Sequence, residues 1–554
     1  MGLRTKVLMA SLLGVAFWGC AAFARPPHPS QSVRIVVPES PAPPEQFAAQ
    51  ELVKYLTAMG NPKPTIVRSP ESGDIYLNTV PQNVPQAEKK TIESGLQGQD
   101  ADSFMLRSSG GRLIIHGNSP RAVLYGTYHY LETLGARWYF PGPENEVIPQ
   151  ATVKLDGYSV RQVPSFRKRG IVPFSITPGI DDLIDFAAKT KLNTIGLHVH
   201  PTLPVTSAAG LESVIRFVKP RGLTLQIEAH LFGESFCPDD KQTLERERKK
   251  FADYLAQLPA DMDEFFLWPA DEELPQCTSP LYRDYSVSDS VLWFSSEMAK
   301  TLHQVRPQAK FAFLSYLSTW EPPKHVKPSQ GLILEWAPME QSFAHALDDP
   351  TSPTNARFRN YFEANLEIFG PANSQVLGYW LDDTLFSRLY FGKLPYSPDA
   401  LKGDLAYYHR MGVPAITTFG VISGRDYFLS HASPAVFLYP SLLWDIGVDT
   451  HDLVRGFCRD YFGSEVAARV YDILAEADKM VFVEGHELHA GRVKDREFVE
   501  AVSKALRLAH DLLDSQSDPV RKARAAKLVS EVSSRFISPT QPHVDEHIPG
   551  WHRH

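Results

Sequence analysis

From Phe166 to about Arg425 the chain alternates short apolar runs with stretches of helical periodicity. The runs are RGIVPFS, TIGLHVH, LTLQIEAH, EFFLWPA, KFAFLSY, GLILEW, QVLGYWL and AITTFGV. Near-continuous apolar character is what a parallel strand buried on both faces requires. Eight such runs within residues 166–425 predict an α/β fold, the (β/α)8 barrel, whose usual length is about 250 residues. The spacing is uneven. Long acid-rich and aromatic-rich stretches follow the fourth and sixth runs, and barrel enzymes build their sites from loops in those places.

Ahead of the barrel, residues 31–157 predict a small α+β domain. VRIVV, DIYLNT, SFMLRSS and RLIIHG read as strands, and SSGG between the last two marks a hairpin. EQFAAQELVKYLTAMG, closed by Gly60, reads as one helix. A second follows Ser119-Pro120 and places Ala122, Leu124, Tyr125, Tyr128, Leu131 and Leu134 on roughly one face. After the barrel, strand signals vanish, and residues 434–538 predict a helical domain packed on it. Residues 539–554, PTQPHVDEHIPGWHRH, read as a flexible tail.

Residues 1–24 read as an export signal. Arg4 and Lys6 precede the apolar stretch Val7 to Trp18, and Ala22-Phe23-Ala24 offers a cleavage site before Arg25. A periplasmic or secreted protein is therefore expected, with lipidation at Cys20 as the alternative to soluble export. No later stretch has the length of a membrane span. A net charge of -8 over 554 residues, with no long basic run, gives no electrostatic footprint for nucleic acid or an anionic membrane. The expected partner is a neutral or weakly charged one. Aromatic residues make up 11% of the chain, and their flat rings suit sugar faces as well as cores. Among the cysteines, Cys237 and Cys277 follow consecutive strands and suggest a disulfide between their loops, whereas Cys458 in a helical pattern reads as a buried thiol.

Side chains at the carboxyl ends of barrel strands converge on one cavity. Asp271, Glu272 and Glu273 follow FFLWPA directly, where partial burial and a neighbouring carboxylate raise an acid's pKa toward neutrality. The other strand ends supply Glu228, His230, Tyr316, Trp320, Glu335, Trp336, Tyr379, Trp380, Asp382 and Asp383, with Arg169 at the opening of the first. Of His198 and His200, one is expected to face the cavity and the other the helices, and His200 is assigned to the cavity. Trp336 and Trp380 also admit an ordinary packing role. Glycoside hydrolysis uses such a set: a protonated acid for the leaving oxygen, a second carboxylate, and aromatic walls for the ring. A metal-dependent barrel hydrolase using His198, His200, His230 and Asp382 is the rival chemistry. G-x-S-x-G, Walker, H-E-x-x-H and dinucleotide motifs are lacking, so no cofactor is implied.

SPRAVLYGTYHYLETLGARWYFPGPENEVIP, with PEQFAAQELVKYLTAMG before it, resembles the small N-terminal domain of family 20 hexosaminidases and family 67 α-glucuronidases. The whole architecture, including LYPSLLWDIGVDTHDLVRGFCRDYFG, is similar to the domain family numbered 4838. The family 20 resemblance implies that Arg169, in PSFRKRG, binds sugar hydroxyls and that His230 lines the site. It further implies that Asp271 orients an acetamido group and that Glu272 is the general acid. Family 67 also places its acid after the fourth strand. Trp268-Pro269-Ala270 stands where family 20 has glycines, and Glu273 follows as an alternative acid. Without an acetamido substrate, the second carboxylate falls to Glu335, Asp382 or Asp383. The expectation is an exported glycoside hydrolase acting on a carbohydrate that contains N-acetylhexosamine or uronic acid. Its catalytic residues are Glu272, Asp271 and Asp382; Arg169, His200, His230, Tyr316, Glu335, Trp336, Tyr379, Trp380 and Asp383 bind the sugar. A non-catalytic glycan-binding protein on the same fold is the rival class.

Overall fold

The computed structural model describes residues 32–68, 74–78, 86–173, 179–198, 208–233, 235–258, 262, 264–382, 385, 397–420, 432–478 and 496–534. Its first domain is a six-stranded sheet. The strands are β1 (Arg34–Val36), β2 (Thr65–Val67), β3 (Ile75–Asn78), β4 (Phe104–Ser109), β5 (Arg112–Gly117) and β8 (Ser159–Gln162), in the order β2-β1-β3-β5-β4-β8. A separate two-stranded ribbon joins β6 (Arg137–Trp138) to β7 (Glu146–Val147). The predicted hairpin is β4–β5. Gly110 and Gly111 turn it with φ of 56° and 72°, a backbone that two successive residues adopt cheaply only as glycines.

The helices Pro43–Ala58 and Pro120–Thr133 pack together over the sheet, joined by Tyr128 Oη donating to Glu51 at 2.9 Å. Ser119 caps the second by accepting from the Ala122 amide, as the Ser-Pro start implies. A further helix, Gln86–Gly95, was not expected. Its sequence QAEKKTIESG carries little apolar periodicity, and only a few of its side chains are buried, Ile92 among them.

The eight apolar runs all form strands of a closed parallel barrel: β9 (Lys168–Val172), β10 (Thr194–His198), β11 (Thr224–His230), β12 (Glu264–Trp268), β13 (Lys310–Ser315), β14 (Leu332–Trp336), β15 (Ser374–Gly378) and β16 (Ala415–Phe419). β16 closes onto β9. Between β13 and β14 the chain returns through only a one-turn helix, Leu317–Thr319. The C-terminal part is helical, as its pattern predicts, and Tyr439 on the helix Ala435–Trp444 donates to the Gly170 carbonyl at 2.7 Å.

Arg169 belongs to this framework, not to the cavity mouth. It is the second residue of β9, at the amino end of the barrel, and is completely buried. Its Nη2 donates to Asp102 of the N-terminal domain at 2.7 Å, Nε donates to the Lys191 carbonyl, and Nη1 to the Phe166 carbonyl. The guanidinium also lies 5.1 Å from the Trp444 ring. The assignment of Arg169 to sugar binding is thereby corrected: it is a clamp between domains, with the thickness of the barrel between it and the strand ends.

Candidate functional site

Strand alternation sorts side chains into inward and outward sets, and the inward ones stack in layers. At the base, Lys168 of β9 donates to Gln226 of β11 and pairs with Glu264 of β12. Midway, Glu228 of β11 and Glu335 of β14 are both completely buried. Gln226 Nε2 donates to Glu228 Oε1, while Trp268 Nε1 donates to Glu335 Oε2 at 2.7 Å and Gln375 Nε2 to Glu335 Oε1 at 3.2 Å. Above them, Trp268 packs against the imidazoles of His198 and His230 at centroid distances of 5.4 and 5.0 Å, and Phe419 packs against Tyr379 at 5.4 Å.

Burial pushes the Glu228 carboxyl up to about 8, only partly offset by the Gln226 hydrogen bond and Lys168. Burial likewise holds Glu335 well above the carboxylate range, and the charge of Glu228 adds to it. The folded protein therefore keeps a proton that the unfolded chain releases above about pH 4.3. Stability contributed by Glu228 falls as pH rises from there through about 8. The charged groups acting on Glu228 are Lys168 and Glu335. Glu228→Gln removes this slope, so its melting temperature gains on wild type between about pH 5 and about pH 8. A difference between the two proteins that stays flat with pH would refute a neutral Glu228.

At the mouth, Tyr379 joins the layers. Its phenol is held far above its ordinary range by burial first, then by Tyr316, Asp271, Asp382 and Glu335, four groups near enough to act on it electrostatically. Strands β12 to β15 thus each deliver a predicted residue to one locus. Asp271 is half-buried, and its Oδ1 is buried with no hydrogen-bond partner among the described residues. Glu272 is half-buried, in a tight turn with its amide on the Ala270 carbonyl at 2.9 Å. Glu273 is exposed and accepts from Ser318 Oγ. Asp382 is buried and accepts from the Leu385 amide at 3.0 Å, and Tyr316 Oη reaches Met339 Sδ at 3.4 Å. His230 Nδ1 donates to the Pro269 carbonyl oxygen, which fixes the proton on that nitrogen.

Three expectations change. Trp336 is completely buried and turns outward, 5.6 Å from Phe362 and 6.3 Å from Phe358 of the helix Pro353–Phe369, because its neighbour Glu335 takes the inward position. Trp380 is outward beside Tyr379, with Nε1 donating to Asp404 at 2.9 Å and its ring near Tyr408 and Tyr439. Asp404 is itself raised to about 7 by burial. His198 faces the cavity, the place assigned to His200. His200 and Asp383 lie outside the described residues. Glu228, one of the strand-end candidates, stands outside the expected catalytic and sugar-binding set, and Trp268 outside the candidates altogether, although Gln226-Ile227-Glu228-Ala229-His230 carries the inward alternation openly.

The disulfide Cys237–Cys277 ties the segment after β11 to the one that begins with Asp271–Glu273. Cys458 is a buried free thiol. The loop the bond closes spans a sequence separation of 40, and loop-closure entropy puts its stabilisation at about 4 kcal/mol in the chain-entropy model. Replacing both cysteines with serine is expected to lower the melting temperature, as reductant does in the wild type. A serine variant that melts with the oxidised protein would show that the bond closes no costly loop. Among the described residues no group of three His, Cys, Asp or Glu side chains could hold a metal ion, and no helix is long and apolar enough to cross a membrane.

Residues 276–475 match the domain of unknown function DUF4838. Residues 24–130 match the N-terminus of glycosyl hydrolase family 67, so the DUF4838 match begins just past the acidic triplet and a glycosidase-type N-terminal domain precedes it. No curated protein matches the sequence. Among solved structures, a family GH115 4-O-methyl-α-glucuronidase with specificity for decorated arabinogalactans shares the fold at a TM-score of 0.64 and 14% identity, over 92% of this chain and 72% of its own. A GH138 enzyme targeting pectin rhamnogalacturonan II does so at 0.57 and 11%, over 91% and 69%. A family 89 glycoside hydrolase from Clostridium perfringens gives 0.51 and 10%, over 88% and 62%. These likenesses show that this chain has the fold of these barrels with their N-terminal domain.

Proposed function

We propose that the protein is an exported glycoside hydrolase that cleaves an oligo- or polysaccharide containing N-acetylhexosamine or uronic acid by carboxylate acid/base catalysis. The observation that carries this reading is the placement of Asp271, Tyr316, Glu335 and Asp382 at or just after the carboxyl ends of four consecutive strands, β12 to β15, beside the buried Tyr379. Glu272, next to this locus and half-buried, donates the proton to the leaving oxygen. Asp271 or Asp382 is its partner: base for water if the carboxyl groups stand about 6.5–9.5 Å apart across the sugar, nucleophile if about 5–5.5 Å. His230, Tyr316, Glu335 and Tyr379 shape the subsite, with Trp268 and His198 as its floor. His200 and Asp383 complete the assignment.

The GH115 neighbour has specificity for decorated arabinogalactans and the GH138 neighbour targets pectin rhamnogalacturonan II, which supports branched polysaccharides of these kinds as candidate substrates. Export is supported by the disulfide, which persists in oxidising compartments. The leader and Cys20, the site of the alternative lipid anchor, lie outside the described residues.

The test is product release from a panel of aryl glycosides and natural polysaccharides, including β-N-acetylhexosaminides and α-glucuronides. Release by the wild type from a natural polysaccharide that Glu272→Gln abolishes supports the hydrolase. Glycan binding without release, identical in the two proteins, would replace it with a binding protein on the same fold.

A further inference from the structure

The chain leaving β12 starts at the mouth with Asp271–Glu273 and runs outward to the helix Val287–Val305 through a one-turn helix, Pro280–Tyr282. It is fastened repeatedly along the way. Leu274 donates its amide to Ser318 Oγ at 2.9 Å, Cys277 is bonded to Cys237, and Ser279 Oγ donates to Asp239. Gln276 Nε2 donates to the Tyr285 carbonyl at 3.1 Å. A second segment leaves the mouth beside it, starting from Tyr316–Ser318 after β13. It is gripped at its far end by Asp289 Oδ1, which accepts from the amides of Lys324, His325 and Val326 at 2.9, 2.6 and 2.9 Å.

The two segments meet in a group of rings. Tyr285 lies parallel to the exposed imidazole of His325, 6° between planes and 5.8 Å between centroids, and Tyr282 meets Tyr285 edge to face at 5.0 Å. Leu281 beside them is 80% exposed. A loop without a task would bury these groups or remain loosely held. Here a disulfide and charged hydrogen bonds hold Leu281 and His325 exposed and the two tyrosines only half-buried, at an ordering cost that core packing does not return. Seven residues separate Ser318 from His325, at most about 25 Å of chain, so the rings lie within reach of a polymer whose cleaved bond sits at the mouth.

We infer that Leu281, Tyr282, Tyr285 and His325 form an outer subsite that takes the pyranose faces of a polysaccharide chain beyond the unit bound at the barrel mouth. The inference rests on the proposed carbohydrate site and extends it to the substrate's length. Flat rings that are fixed before binding lose little entropy when a sugar's C–H face covers them, and the tyrosine hydroxyls remain able to bond to sugar oxygens.

The experiment is native electrophoresis in gels containing arabinogalactan, rhamnogalacturonan II-bearing pectin or glucuronoxylan, with aryl monosaccharide turnover measured in parallel. Wild type is retarded by at least one polymer. The double variant Tyr282→Ala/Tyr285→Ala weakens that retardation about tenfold, while kcat/KM on the aryl glycoside stays within about twofold. If the double variant fails to fold, Leu281→Ser and His325→Ala, both at exposed positions, carry the test. Undiminished retardation of the folded variants overturns the inference, as does absence of wild-type retardation by every polymer. Retardation without turnover of any glycoside, lost in the variants, sinks the hydrolase and leaves the outer subsite standing.

Discussion

Glu272→Gln is expected to lower turnover on a natural glycosidic linkage by about 10²–10⁴-fold while sugar affinity holds within about threefold. The substitution preserves shape and hydrogen-bonding reach and removes only the transferable proton. The half-buried position of Glu272, next to Asp271 on the same turn, is where a carboxyl acts on the leaving oxygen without being lost to bulk water. Leaving-group chemistry makes the assignment exacting. The nitrated phenol of an aryl glycoside departs without protonation, so the variant loses little kcat/KM on it, whereas an alkyl or sugar leaving group needs the acid and shows the full loss. A uniform loss across leaving groups would reassign Glu272 to base or nucleophile. Glu273→Gln serves as the control. Its carboxylate is exposed and engaged by Ser318, and its replacement should leave turnover unchanged.

The barrel was legible because parallel strands covered on both sides must be apolar throughout, and the eight runs announce themselves by composition alone. Which residues reach the cavity depends on two further variables, direction and alternation. Arg169 failed on direction: it stands at the start of its strand, and only strand ends open onto the site. Trp336 and Trp380 failed on alternation, since Glu335 and Tyr379 already occupy the inward places beside them. The same rule, applied to Gln226, Glu228 and His230, turns the strand-end candidate Glu228 inward with His230. A buried acid is costly without partners, and what offsets its burial here, the Gln226 hydrogen bond and the Lys168 charge of β9, appears only once the strands are assembled. The acidic triplet after β12 was legible because its chemistry and its place at a strand end coincide. That Glu272 and Glu273 differ in exposure was not, because the turn through Ala270 and the Ser318 contact decide it.

Arg169→Leu is expected to destabilise the protein by about 3–5 kcal/mol, the cost of breaking a buried pair from one side. Asp102 is almost fully buried and accepts from Arg169, from Arg121 Nε at 2.8 Å and from Asn193 Nδ2 at 2.8 Å. Burial alone would raise its carboxyl, but Arg169 and then Arg121 outweigh it and hold the group below the usual carboxylate range. A depressed folded pKa contributes stability that is present above the unfolded value of about 3.9 and is lost as pH falls through the folded one. The variant should therefore lose part of the acid limb of its stability curve as well as its plateau. The carbonyls of Lys191 and Phe166 lose their donors too, and the Trp444 face loses its cation. Urea midpoints across pH, alongside Asp102→Asn and the double variant, give the coupling; it should be large, because either partner alone leaves an orphan inside the domain junction. Sugar affinity of whatever fraction remains folded should match wild type. A variant that keeps its stability and instead loses affinity for the glycan would return Arg169 to the substrate, against its burial at the far end of the barrel.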